Sequence, residues 1–269
     1  MSFELPPAKG PARDLANQMG ALVGFSLNTM HQTGRTLLLR RLSLEETLRQ
    51  TLFIAKVCSG PALLLMLPIG VLIAVSVGSL AGQLGAGGYS GAVVAFVVVG
   101  QASALVCALM LAGVGGSAIC ADLGSRTIRE EIEAMEVMGL DVVSRLVVPR
   151  LLASVLVSLV LCALVTLVGI TACLLFEVYV QHQSSGAFLA TLSEYGRLSD
   201  FTMAMVKSMC FAVTSALIAS FKGLHAKGGP SGVADAVNEA VVLAFVMVFV
   251  VNTVLSQLYT VIVPAVGAY

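Results

Sequence analysis

"REEIEAMEVMGLDVVSRLVVPR", residues 129–150, separates two long apolar runs, and its reading decides how the chain is laid out. Glu130, Glu131, Glu133, Glu136 and Asp141 fall within twelve residues and make up a third of the fifteen acids. The chain of 269 residues is otherwise 58% hydrophobic and only 11% charged, with a mean hydropathy of +0.96. The stretch is too charged to sit in hydrocarbon and too patterned to be loose. Ile128, Ile132 and Met135 recur at i, i+4 and i+7, and Met138 follows, which is one apolar stripe of an amphipathic helix. Arg126–Glu130 and Arg129–Glu133 have the i, i+4 spacing of helix ion pairs. Gly139 fits a helix stop. The expectation is a short helix over about 119–139, lying along the membrane between two spans. The residues alone leave open whether it docks a partner or is a solvated connector.

On either side the chain is built for a bilayer. Uncharged apolar runs of about eighteen residues or more read as membrane-spanning helices. Residues 57–82 carry no Lys, Arg, Asp or Glu. Residues 83–121 are also uncharged and hold a turn and a second span; 151–176, 208–221 and 240–269 supply three more. The expected fold is an all-α integral membrane protein with five transmembrane helices. Residues 1–56 form an N-terminal segment and 57–269 the membrane domain. No cleavable signal peptide is expected, because the first fifty residues are polar and basic.

Basic residues orient the spans, since short cytoplasmic loops collect Lys and Arg. The segments 1–56, 83–90, 114–150, 181–202 and 222–233 hold 7, 0, 4, 1 and 2 of them, and Lys207 is the fifteenth. This alternation predicts a cytoplasmic N-terminus, a cytoplasmic acidic stretch and a C-terminus outside.

In "SLEETLRQTLFIAKVCSG", residues 43–60, Ser43 and Glu46 fit a capping box, and Leu44, Leu48 and Leu52 recur every fourth residue. A helix beginning near Leu44 is either an amphipathic interfacial helix or the charged start of span one. Span one contains Pro61 and Pro68, with Gly70, Gly78 and Gly82 suited to close helix contact. Span three is expected to begin at Pro149, which places Glu177 in the outer interface or beyond. Lys207 falls near that level, to pair with Glu177 or reach headgroups and water. Before span five, "KGGPSGVADAVNEA" is a turn followed by acids in the first helical turns. Gln101, Asn252 and Ser256 form the polar candidates within the spans, for a lipid pathway or a subunit interface.

Several chemistries find no signature. The six cysteines lie in or beside apolar spans without a C-x-x-C pair and read as small buried hydrophobes. His31, His182 and His225 have no metal spacing, so no metal site is expected. No phosphate loop, catalytic triad or nucleic-acid patch is present. The span centres read as uncharged, unlike those of an ion-coupled transporter, so energy for transport would come from elsewhere.

The pattern E-A-x-x-x-x-G in "EAMEVMG", residues 133–139, is similar to the EAA loop of ABC importer permeases, whose coupling helix seats in a separate ATPase. The longer run "GGSAICADLGSRTIREEIEAMEVMGLDVVSRLVVPRLLA", residues 115–153, resembles the core signature of the MlaE/YrbE permeases. "GGPSGVADAVNEAVV", residues 228–242, matches their second signature. These permeases work in ABC transporters with MCE-domain lipid-binding proteins. The chain looks like an actinobacterial YrbE subunit of the A type. It departs from the MlaE branch in having Asp122 in place of Glu and Asn252 in place of an acid.

The resemblance implies a non-catalytic permease subunit, with ATP and Mg held by a partner rather than by this chain. Its implied partners are a B-type YrbE paralogue in a heterodimer, an Mkl/MceG-like ATPase dimer, an MCE-protein hexamer and a lipid: fatty acid, mycolic acid or sterol. The coupling candidates are Asp122, Arg126, Arg129, Glu130, Glu133, Met135, Glu136 and Gly139. The rival expectations are a structural anchor for an MCE assembly and an ion-coupled secondary transporter.

Overall fold

Five helices are long and apolar enough to cross a membrane. The computed structural model describes residues 11–38, 44–83, 85 and 89–262, and among these it is all-helical. In chain order α1 is Pro11–Leu38, α2 Leu44–Gln83 and α3 Ser90–Ile128. Next come α4, Glu131–Val137, and α5, Val143–Tyr179. Then α6 is Ser185–Tyr195, α7 Leu198–Leu224 and α8 Gly229–Ile262. The spans α2, α3, α5, α7 and α8 alternate in direction, so α4 and the α7–α8 turn share one end of the bundle. The α2–α3 connection and α6 share the other.

The amphipathic start and span one prove to be one helix. The 40 residues of α2 extend about 60 Å at ~1.5 Å per residue, twice a ~30 Å hydrocarbon core. Ser43, half of the expected capping box, lies outside the described residues. Ile54, Cys58, Ala62, Met66 and Ala74 form a buried stripe along α2, packed mainly against α5. Gly70 makes the contact close: a Cβ there would stand 3.0 Å from Ala172 Cβ, and Cys173 Sγ donates to its carbonyl at 3.2 Å. Pro61 and Pro68 face outward, where the N–H groups they lack cost the packing nothing.

Helix α7 runs through the middle, with Ser208, Phe211, Ala212, Ser215 and Ala219 buried. Its small residues admit α3 closely. A Cβ on Gly223 would lie 2.8 Å from the Cys120 carbonyl oxygen. Five of the six cysteines are buried and none is disulfide-bonded, as small core residues would be. Helices α3 and α5 are not uniform: Ala95–Ala102, Leu111–Gly115 and Val143–Val147 adopt wide π-type turns. The last of these starts α5 ahead of Pro149, which sits in the first regular turn rather than opening the helix.

Helix α1 had no counterpart in the sequence reading. It lies over Val143–Val147 and the end of α7, with Leu22 and Thr29 buried and the Phe25 and Phe221 rings 5.6 Å apart. Val23, Leu27 and Met30 form a second, exposed apolar face. Val23, Leu27 and Met30 recur at i, i+4 and i+7, so the sequence carried a helical period here that was passed over.

Two further expectations are corrected. Glu177 and Lys207 neither pair with each other nor reach water: they are 0% and 1% exposed. The helix expected over 119–139 is two helices, because the chain breaks at Glu130, whose φ of 59° is left-handed. Residues before the break continue span α3, and only Glu131–Val137 stand apart as α4.

Candidate functional site

Two constellations hold the chemistry, one at each end of the spans. The first centres on Lys207, which α7 carries nine residues inside its start at Leu198, about 13 Å along the axis. Its Nζ donates to Ser256 Oγ of α8 at 2.9 Å and to Gln101 Oε1 of α3 at 3.2 Å. An ammonium has three donors, so one is left uncommitted among the described residues. No carboxylate forms an ion pair with it there. The group borders a cavity of about 450 Å³ whose walls include Phe96, Met203 and Gly100. Arg197, Asp200 and Tyr259 line its mouth, with the Tyr259 hydroxyl donating to Asp200 Oδ1. Gln101 and Ser256 are thus brought together, as candidates for one polar seam should be. Asn252 lies a turn below Ser256, and its Oδ1 is buried without a hydrogen-bond partner among the described residues.

Lys207 as the hub of this seam was missed. The uncharged run 208–221 made the lysine look like the edge of span four. The helix starts ten residues before that run, which puts Lys207 nine residues inside it rather than at its end. Glu177 is a second buried ionisable group, beside the Ser90 hydroxyl and without an ion-pair partner among the described residues. It sits at the far end of α5. Lys207, nine residues inside α7, corrects the expectation of uncharged span interiors, whereas Glu177 lies two residues from the end of α5.

The second constellation surrounds α4. Arg126 and Arg129 do not make the expected i, i+4 pairs with Glu130 and Glu133, because the break at Glu130 ends the helical register. Instead Arg129 Nε lies 3.0 Å from Glu131 Oε1 and Arg126 Nη1 lies 3.8 Å from Glu131 Oε2. Arg126 Nε also stands 3.6 Å from Asp122 Oδ1. The other oxygen of Asp122 accepts from Arg150, a residue only 1% exposed that also donates to the Leu146 carbonyl at 2.6 Å. This buried arginine was not among the coupling candidates. Its position one turn into an apolar run, 28 residues beyond Asp122, was the available signal.

Gly139 ends α4 as expected. Its φ is +73°, Leu140 N–H bonds back to the Met135 carbonyl at 3.0 Å and Gly139 N–H to the Glu136 carbonyl at 2.9 Å. That is a Schellman closure, which only a residue at ease in the left-handed region completes cheaply. Glu130, Glu133 and Glu136 are exposed, whereas Ile132 and Met135 are half-buried against the core. The apolar groups that face outward are Val137, at 89% exposure, and Met138, at 66%. Around the α7–α8 turn, Lys222 pairs with Glu239 at 2.6 Å.

Comparison with known proteins agrees with this architecture. The Permease MlaE family model matches residues 47–258. The chain is 26% identical to the TRIGALACTOSYLDIACYLGLYCEROL 1 protein of Arabidopsis thaliana, across 66% of this chain and 51% of that one. It is 27% identical to a probable ABC transporter permease protein of Synechocystis, across 62% of this chain and 64% of its length. A permease protein of the same description from Pyropia yezoensis is 28% identical across 62% and 63%. The chain thus spans between half and two thirds of the relatives it matches. With five spans, a short exposed helix between the second and third, and a match over most of its length, this chain is a multi-pass membrane protein of the MlaE permease family, a family of ABC transporter permeases.

Proposed function

We propose that the chain is the membrane subunit of an ATP-driven lipid transporter, and that α4 is the helix by which a separate ATPase drives it. The observation that carries this reading is α4 itself. It is a seven-residue helix set off by a left-handed residue at each end, turned acid-side out, with Val137 and Met138 uncovered. A mere connector has no need of an exposed valine and methionine, while a docking helix uses both apolar anchors and charge. On this reading the α4 end is cytoplasmic, as the distribution of Lys and Arg favours, and ATP and Mg belong to the partner chain.

The lipid pathway runs beside Lys207. The cavity of about 450 Å³ has the volume of a single acyl chain, with an amine and an arginine to meet an anionic headgroup. A fatty acid fits that chemistry directly and a sterol fits the apolar walls, while a mycolic acid, with two long chains, would need room beyond this cavity. The finer assignments follow the family resemblance: an A-type YrbE subunit of an actinobacterial inner membrane, paired with a B-type paralogue. An Mkl/MceG-like ATPase dimer would stand on the cytoplasmic side and an MCE-protein hexamer on the other, with lipid import as the net reaction.

A second reading gains from Lys207, since buried ionisable groups within spans are what ion-coupled transport requires. One experiment separates the readings. Lipid uptake is measured in cells whose copurifying ATPase carries a catalytically dead site. Loss of uptake supports the ATP-driven permease; uptake that persists and follows the proton gradient supports the ion-coupled one. A pure anchor would bind its partners and move nothing in either case.

A further inference from the structure

We infer that Asp122 and Arg150 form a positioning pair that passes movement of α4 into spans α3 and α5. The inference rests on the reading of α4 as an ATPase-docking helix and names how that helix is tied to the bundle. Alternating charges run in one series: Arg150, Asp122, Arg126, Glu131 and Arg129. One end is buried inside α5; toward the other, Glu131, the first residue of α4, is held by Arg126 and Arg129 from the end of α3. Each acid in the series divides its two oxygens between neighbours. Asp122 gives Oδ2 to Arg150 and Oδ1 to Arg126; Glu131 gives Oε1 to Arg129 and Oε2 to Arg126.

The backbone cannot do this work as directly. Both covalent attachments of α4 are turns, at Glu130 with φ 59° and at Gly139 with φ 73°. Such joints absorb rotation. The side-chain series bypasses the first joint and reaches one turn back into α3, then across to α5. Arg150 suits the inner end because a guanidinium keeps its charge and holds a fixed fork geometry. A buried charge stripped of its partner is costly, so Arg150 must follow Asp122 when that helix shifts. Stability alone does not call for the pair, since well-packed apolar residues commonly replace buried ion pairs without loss. Contiguity puts the groups in series, and a coupling measurement is what establishes transmission.

The test uses the membrane complex with its copurifying ATPase, reconstituted in liposomes. ATPase stoichiometry and lipid moved per ATP are measured together. Asp122→Asn retains one acceptor oxygen and so holds one arginine but not both. It is expected to keep the ATPase bound while lipid moved per ATP falls about tenfold, within the usual range for coupling between sites. Asp122→Glu, with two acceptors, restores most of the ratio. An unchanged ratio in Asp122→Asn overturns the inference. So does shedding of the ATPase in proportion to lost transport, because the pair would then only shape the docking helix. Should Asp122→Asn fail to insert, Arg126→Gln cuts the exposed link and leaves Arg150 paired; a wild-type ratio there overturns the inference equally. The parent reading fails separately, in the unmodified complex, if a catalytically dead ATPase leaves transport running.

Discussion

Lys207 of α7 lies 2.9 Å from Ser256 of α8 and joins three of the helices that wall the cavity, since it also holds Gln101 of α3. A cation in that position sets the sign of what the cavity accepts. Hydrogen bonds to charged groups are worth about 1.5–3 kcal/mol, roughly ten- to a hundredfold in affinity. Lys207→Met is therefore expected to weaken binding of a fluorescent fatty acid at least about tenfold while the protein still inserts. Binding unchanged in purified Lys207→Met would remove the cavity from the lipid pathway.

The exposed face of α4 yields a docking prediction. Glu133→Arg with Glu136→Arg reverses charge on its open side, where truncating a buried interfacial charge costs about 2–5 kcal/mol and an exposed pair about 0–1. The double variant is expected to lose the ATPase on purification. Val137→Asp should do the same by spoiling the apolar anchor. Met135→Asp is the poorer probe, because Met135 packs against the permease's own core and its loss disturbs the fold. Retention of the ATPase at parental stoichiometry in both outward-facing variants would make α4 a solvated connector.

Topology is checked by labelling. Ser185, at the start of α6, and Ser231, at the start of α8, are exposed at opposite ends of the spans. Cysteine at Ser185 is expected to react with an impermeant thiol reagent outside whole cells, and cysteine at Ser231 is not. Ser231 is preferred to Gly229, whose φ of +76° would strain any side chain. The reverse pattern would put α4 outside and end the docking proposal.

Gly223 tests the packing. A methyl group there meets backbone of α3 at 2.8 Å, whereas one at Gly82 meets nothing within 4 Å. Forcing extra volume into a packed contact costs about 1–3 kcal/mol. Gly223→Val should lower the melting temperature in detergent by several degrees, and Gly82→Val should leave it nearly unchanged. Equal melting temperatures would mean that the α3–α7 crossing is looser than its geometry.

The spans were legible because an apolar stretch long enough to cross a bilayer has no other common use. Gly139 was legible because a glycine after an apolar stripe has a specific stereochemical job, which the Schellman closure performs. The break at Glu130 was not: a non-glycine residue at φ 59° runs against local preference, and only the surrounding packing holds it. Arg150 and Lys207 were obscured for a common reason. Window counting treats a charge at the edge of an apolar run as the end of the run, yet both side chains turn inward to partners on other helices. The ion pairs of Arg126 and Arg129 go to Glu131 because the break at Glu130 ends the register in which Glu130 and Glu133 would have met them.

Gln101 lies inside one of the wide turns of α3, Ala95–Ala102. A turn of this kind carries one residue more than the ordinary helix would need, so everything beyond it is advanced in phase by roughly 100°. The two halves of span α3 therefore point different sides at the same neighbour. Shortening the span by a single residue between 95 and 100 would let the helix relax to its usual pitch, and would swing Gln101 relative to the residues before it. In this span, length counted in residues and direction are the same variable. A deletion that leaves the hydrophobic reach almost untouched would re-aim the glutamine that Lys207 holds.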